Sequence, residues 1–296
     1  MRIICILLIL ASHSNPIYSQ RSLKIITYNI LNGYDWGKDT ARNNKLINWT
    51  AQQHPDIVAW QELCNYSEEK LKIDAIKIGH SFSVLLKESG YSVGITSKYP
   101  IEIKERILTG MHHGALHCNS AGIDFIVVHF SPGSYLKRKN ESDIILSRIE
   151  NISKSNNQYI VLGDFNSHSP FDADLYKSNF LLNRLRESVS NQGNNGNLNN
   201  NQLDYEVMSK LLAHSLIDVT QKFTNGLNER GSFPGRILGP INHESDNDLI
   251  NRLERIDYIL ASPEMSKKCR SSVVCNGESN WYLSDHYPVM ATFDLN

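Results

Sequence analysis

Two segments near the middle of the chain, DFIVVHF and YIVLGDF, are apolar almost without a break, and a strand with no polar alternation has to be covered on both faces. Further runs read as strands by alternation or continuity: LKIITYNI, DIVAW, FSVLL, YSVGITS, IEIKERIL, RIDYILA, SSVVC and YPVMATFDL. Between them lie segments of helical character, TARNNKLINWTAQQH, NYSEEKLKIDAIKIG, KRKNESDIILSRIENISK and LDYEVMSKLLAHSL. In the second of these, Asn65 and Glu68 have the spacing of a capping box and Gly79 supplies a stop. Strands in hairpin-length series with a few helices predict an α/β fold. The expected architecture is a four-layer αββα sandwich, two mixed β-sheets packed face to face with helices outside.

Residues 1–19 carry an early Arg2, an apolar stretch from Ile3 to Ala11 and then small and polar residues, the pattern of a secretory signal peptide. The expected organisation is therefore a signal peptide at 1–19 and one catalytic-size domain at 20–296, exported or periplasmic. Four cysteines remain after removal of Cys5. Cys269 and Cys275, read on one extended strand, would lie about 20 Å apart, so free thiols are expected there. Residues 190–202 are a polar low-complexity loop expected to be exposed, and 224–248, rich in Gly, Asn and Pro, is a second long connection. With 31 acidic and 30 basic residues, no global field draws the chain to polyanions, so any nucleic-acid contact has to be local.

Polar residues recur where the apolar runs end. YIVLGDFN finishes on Asp164 and Asn166, which face the same way if the strand continues. Asn29 closes the first run, Glu62 follows DIVAW, His129 ends the IVVHF run, Asp257 sits inside RIDYIL, and Asp285 and His286 precede the last run. Any one of these could be a structural hydrogen-bonding group. Together they predict one rim of carboxylates, amides and imidazoles.

Asn29, WQEL, GDFN, RIDYIL and SDHYPV, in this order and at these spacings, resemble the endonuclease/exonuclease/phosphatase superfamily over residues 22 to the C-terminus. The resemblance implies the four-layer sandwich, a divalent metal (Mg²⁺ or Mn²⁺) and hydrolysis of a phosphate ester by direct attack of water. It implies Glu62 as metal ligand, with Asn29 and Asp285 supporting metal or phosphate. Asp164 would orient or deprotonate the water, and Asn166 would hold a phosphate oxygen. His286, oriented by Asp257, would stabilise developing charge, and His129 would contact the phosphate or assist the leaving oxygen. The chemistry wants these types independently: Mg²⁺ prefers hard oxygen ligands and keeps several waters, and an anionic phosphodiester needs positive charge as the transition state forms.

Substrate choice resides in loops. The YLKRK cluster at 135–139 reads as a solvated helix start, and no basic stripe suited to duplex DNA is visible. His113, beside His112, and Arg236 are candidate substrate-binding residues, and His168 belongs to the loop after the strand rather than to a metal. The expected partner is a phosphate-ester substrate, whether a small molecule, a lipid head group or nucleic acid, acted on by a monomer with no obligate protein partner. A secreted deoxyribonuclease-like endonuclease and a catalytically inactive binding module on the same fold are the competing readings.

Overall fold

The computed structural model describes residues 22–176, 180–192 and 198–295, so the signal-peptide segment and residues 193–197 of the polar loop lie outside the described residues. Among the described residues there are fourteen strands: β1 (Ser22–Asn29), β2 (Ile57–Gln61), β3 (Phe82–Leu85), β4 (Gly94–Ser97), β5 (Ile101–Ile107), β6 (Ala115–Ser120), β7 (Ile123–His129), β8 (Tyr159–Asp164), β9 (Leu198–Asn199), β10 (Gln202–Leu203), β11 (Ile217–Asp218), β12 (Asp257–Ala261), β13 (Cys269–Val274) and β14 (Val289–Asp294). They form two six-stranded sheets, β13-β14-β1-β2-β4-β3 and β11-β12-β8-β7-β6-β5, plus the small ribbon β9-β10.

The continuous apolar runs are explained by which face each residue serves. Ile25, Ile57, Phe125, Val127, Ile160, Leu162 and Ile259 point into the layer between the sheets. Their neighbours Ile126, Val128, Val161 and Leu260 point outward, under Ile145, Leu146 and Ile149 of the helix Tyr135–Ile152 and Val207, Met208 and Leu211 of the helix Glu206–Ala213. On the other sheet Ile26, Tyr28, Val58 and Trp60 lie under Leu46 and Trp49 of the helix Thr40–Gln52 and Leu71 of the helix Glu68–Lys77. Every residue of β7 and β8 is buried, and each large apolar side chain so covered contributes about 1.5–3 kcal/mol relative to exposure. The four-layer αββα sandwich is the observed fold.

Each sheet has one parallel pair at its centre, β1 with β2 and β7 with β8, flanked by antiparallel pairs. A parallel pair requires a crossover, supplied here by the helices Thr40–Gln52 and Tyr135–Ile152. Four strands therefore end together on one rim, with Asn29, Gln61, His129 and Asp164 as their last residues.

Some local expectations change. Ser67, not Asn65, caps the helix Glu68–Lys77, accepting from the Lys70 N–H, while Asn65 sits at φ 57° and bonds the Trp36 carbonyl. The polar loop is partly paired, its end folding into β9-β10 with Leu198 buried. The 224–248 connection is built of short helical turns, Leu227–Arg230, Leu238–Asn242 and the start of Asp246–Asn251. Buried Arg230 anchors it by bonds to Asp172 and the Thr224 carbonyl. The helix Phe180–Gln192 went unanticipated. Cys64, Cys118 and Cys269 are buried free thiols, and Cys275 is a partly buried one.

Candidate active site

Strand register assembles the site. His129 on β7 is paired with Asp164 on β8, and Asp164 with Asp257 on β12, so three sequence-predicted residues sit side by side. Gly163 permits this. Its φ is +142°, and a β-carbon there would lie 2.0 Å from the Val128 carbonyl oxygen, so any other residue would push β8 away from β7. The opposite sheet contributes Asn29, paired with Gln61 at the ends of β1 and β2, and then Glu62.

The first of these groups to be fixed is Asn29. Its side-chain amide donates to Glu62 Oε1 (3.2 Å) and Asp164 Oδ2 (3.1 Å), while its oxygen accepts from the Leu31 N–H. Asn29 thus joins the two sheets through its N–H groups, while its oxygen, with one of two lone pairs taken by the Leu31 N–H, keeps the other. Glu62 Oε2 accepts from the Asn32 N–H at 2.6 Å. Asn32 belongs to an unusual segment, Leu31 to Trp36, in which every residue has φ between 51° and 61°. Left-handed backbone costs non-glycine residues about 1–2 kcal/mol each. Arg42 offsets the cost by donating to the Ile30, Leu31 and Leu283 carbonyls, and Gly33 lets the turn touch Cys64, where a β-carbon would come within 2.1 Å of the carbonyl oxygen.

Asp164 accepts from the Asn166 N–H through Oδ1, and Asn166, in left-handed conformation, donates its amide to the Phe130 carbonyl. Burial pushes the Asp164 carboxyl up to about 8, against the pull of His286. His286 Nδ1 bonds Asp257 Oδ2 at 2.8 Å, and its Nε2 faces Asp164 Oδ2 at 3.7 Å, beyond hydrogen-bond length. Burial alone would lower the His286 pKa, but Asp257, Asp164 and Asp285 raise it well above the ordinary value, so this ring is an imidazolium. Ser232 holds Asp257 by accepting from its N–H, and Phe233 packs on His286 with centroids 4.9 Å apart.

His129 behaves oppositely. Its Nε2 lies 3.5 Å from Asp164 and 4.0 Å from Glu62, its Nδ1 has no hydrogen-bond partner among the described residues, and it stacks on His113 at 4.2 Å. Burial first, then the neighbouring His113, His286 and His112, lower its pKa well below the ordinary value. His113 is pushed down to about 3, again mainly by burial.

These groups line one cleft of about 570 Å³, which holds Glu62, His113, His129, Asp164, Asn166, Asp285 and His286. Asp257 lies just behind it, bonded to His286. Arg236 does not join them. It bonds Asp246 and lies over the Trp281 ring, 3.4 Å from its centroid, in a separate depression, because the helical turns of 224–251 carry it away from the rim. Sequence reasoning missed Tyr91, Phe233, Arg138, Arg184, Arg252 and the His168–Glu254 pair (2.7 Å), which also line the cleft. Arg138 is the one member of the YLKRK cluster that the helix turns fully inward, to 2% exposure. Its spacing from Ile145 and Ile149, seven and eleven positions later on the same buried helix face, was the available signal.

Glu62 and Asp285 fit a hard divalent cation. Both carboxyls are raised, first by burial, and Glu62 is raised further by Asp285, so two oxygen donors share the cleft in want of positive charge. Asp164, Asp257 and His286 also bring ligand-type atoms within 4.8 Å of one another. There, however, the His286 and Asp257 atoms are engaged with each other, and an imidazolium does not coordinate.

The Endonuclease/Exonuclease/phosphatase family model matches residues 26–286. The chain belongs to the endonuclease/exonuclease/phosphatase family. It is thereby a metal-dependent phosphoric ester hydrolase. Similar solved structures include an AP endonuclease from Archaeoglobus fulgidus, at 22% identity and TM-score 0.65, covering 92% of this chain and 100% of that one. Another is the 3' phosphatase NExo from Neisseria bound to a product DNA hairpin, at 22% identity and TM-score 0.64, covering 92% and 99%. The 3'-5' exonuclease NExo from Neisseria meningitidis has 21% identity and TM-score 0.63, covering 92% and 100%. At these identities the likeness establishes the endonuclease/exonuclease/phosphatase fold. A comparison with curated protein sequences gives no match.

Proposed function

We propose that the chain is an exported phosphodiesterase using Mg²⁺ or Mn²⁺, in which water attacks phosphorus directly. The observation that carries this reading is the His286–Asp257 pair set against Asp164, with Glu62 and Asp285 in the same cleft. Glu62 and Asp285 would hold the cation, which supplies positive charge to the phosphate oxygens. Asp164, in its ionised form, accepts the proton of the attacking water, beside His286 Nε2 and His129 Nε2. The His286 imidazolium neutralises charge as it develops. Asn29 steadies both carboxylates, and the second amide N–H of Asn166 is available to a phosphate oxygen. His129, being neutral, acts as a hydrogen-bonding group for the leaving oxygen, and His113 supports it from behind.

The mature chain on this reading is 20–296, released after a signal peptide at 1–19, and works as a monomer in the periplasm or outside the cell. N-terminal sequencing of the protein recovered outside the cytoplasm tests that part. A nuclease activity on extracellular nucleic acid is the second reading, favoured by Arg138, Arg184 and Arg252 in the cleft wall. Hydrolysis by the mature protein is to be measured with Mg²⁺, Mn²⁺ or EDTA on bis-p-nitrophenyl phosphate, p-nitrophenyl phosphate, plasmid DNA, RNA, sphingomyelin and inositol phosphates. Diester turnover abolished by EDTA is the expected result. Monoester turnover alone would overturn the diester assignment, and no turnover on any substrate would favour the binding-module alternative.

A further inference from the structure

We infer that the cleft opens onto an aromatic corner, formed by Tyr91 and Trp36 with His112 and His113 behind, which binds a planar aromatic group carried by the scissile phosphate, as a nucleobase is carried by a nucleic-acid strand. The inference rests on the phosphoesterase reading and names its substrate class.

Three separate loops deliver these rings. Trp36 ends the left-handed turn, Tyr91 lies in the connection between β3 and β4, and His112–His113 precede β6. Ring centroids run 6.4 Å from Trp36 to Tyr91, 5.2 Å from Tyr91 to His113, 4.3 Å from His113 to His112 and 4.2 Å from His113 to His129. An unbroken series of rings therefore leads from the neighbourhood of Asp164 to the cleft mouth. Tyr91, His112 and His113 line the same cleft as Glu62 and His286. Trp36 stands at 80° to Tyr91, so the two rings make a corner that offers one face and one edge.

Trp36 is 45% exposed, yet its backbone is held by the Asn65 amide donating to its carbonyl at 3.0 Å. Together with Tyr91, which lines the cleft, this exposed ring extends an apolar surface continuous with the cleft wall. His113, only 7% exposed, ties the corner to the catalytic cleft through its ring, which meets Tyr91 and stacks on His129. Base-on-aromatic stacking is tolerant of sequence and needs only a π-face. A quaternary ammonium head group would prefer several ring faces arranged as a cage, and two perpendicular rings do not provide one.

The test compares a single-stranded trinucleotide with the same phosphodiester backbone bearing tetrahydrofuran units in place of its nucleosides. Tyr91→Leu is expected to raise KM for the base-bearing substrate about tenfold, the order expected for loss of one stacking contact, with kcat within about twofold. KM for the baseless backbone should stay within about twofold, and Tyr91→Phe should restore the base-bearing KM. A second readout uses binding in EDTA: adenosine 5'-monophosphate should quench tryptophan fluorescence in the wild type and lose that effect in Trp36→Leu, whereas phosphocholine should not quench. Equal KM for the two backbones, or quenching by phosphocholine but not by the nucleotide, would overturn the inference. Failure of the phosphoesterase reading would look different, as nucleotide quenching without turnover of either backbone.

Discussion

His286 and His129 both look onto Asp164, at 3.7 Å and 3.5 Å, yet one is held charged and the other neutral. The difference lies behind the rings. His286 has a carboxylate, Asp257, on its far nitrogen, whereas His129 has no partner on its Nδ1 among the described residues and rests on another imidazole, His113. One carboxylate paired to a buried imidazole outweighs the cost of desolvating the charge, and without it burial wins. The same residue type at the same distance from the same carboxylate can therefore serve as cation on one side and as neutral hydrogen-bonding group on the other.

The comparison breaks most directly by removing the charge. His286→Ala should lower kcat by a hundredfold or more, and Asp257→Asn, which keeps the shape but withdraws the counter-charge, should approach it, on the order of a hundredfold. Glu62→Ala should fall in the same range and also weaken metal binding measured by calorimetry. If Asp257→Asn turns over at the wild-type rate, the imidazolium assignment is wrong. His129→Gln sharpens the contrast, since glutamine keeps a neutral donor and acceptor. It should cost only about tenfold, clearly less than His286→Gln measured in parallel.

Much of this site was legible in the sequence for a physical reason. Asp164, His129 and Asp257 lie at the ends of buried strands, where apolar runs announce the element and a single polar residue stands out against it. Adjacent strands then bring such ends together automatically, as the register of β7, β8 and β12 does. Loop residues carry no such signal. Tyr91 and Phe233 reach the cleft because of how connections pack, and the same long connection that delivers Phe233 removes Arg236, three residues later, to another surface. The left-handed segment from Leu31 to Trp36 was invisible too: only Gly33 hints at it, and the bonds that hold it come from Arg42 and Asn65, distant in local pattern. Capping at Ser67 was misassigned to Asn65 because both residues are good caps within one turn of Glu68.

A histidine outside the cleft extends the comparison to stability. His80 is buried between the Thr96 hydroxyl and the Pro55 carbonyl, and burial lowers its pKa to about 4. Its folded-state value lies below the unfolded one, near 6.5, so the unfolded chain binds the extra proton first. The stability this neutral histidine preserves is present above pH 6.5 and is lost as pH falls from there towards 4. The expected loss over that window is about 1–3 kcal/mol, read as a falling midpoint in urea titrations, and His80→Gln should flatten that part of the profile. His286 has the opposite sign: its pairing with Asp257 stabilises fully below its unfolded value and fades only as pH rises through its raised folded-state value. A stability profile of His80→Gln identical in slope to the wild type between pH 6.5 and 4 would assign the acid sensitivity elsewhere, to the neutral His113–His129 stack for example.

The smallest effect is expected at Arg236, a cation with full charge that the cleft does not use. It bonds exposed Asp246 and covers Trp281, so its removal loses one solvent-screened ion pair and one ring contact. Exposed pairs contribute about 0–1 kcal/mol and such ring contacts about 0.5–1 kcal/mol. Arg236→Ala should therefore lower stability by about 1 kcal/mol while leaving kcat and KM within about twofold for every phosphate ester turned over. Were KM instead to rise severalfold for an anionic substrate, the depression around Trp281 and Tyr287 would have to be counted as part of the substrate path, and charge at the cleft could no longer be assigned to His286 and its arginine neighbours alone. The contrast with His286 is then one of placement: a positive charge matters here where it shares a cleft with Asp164, and not merely where it is near in sequence to residues that do.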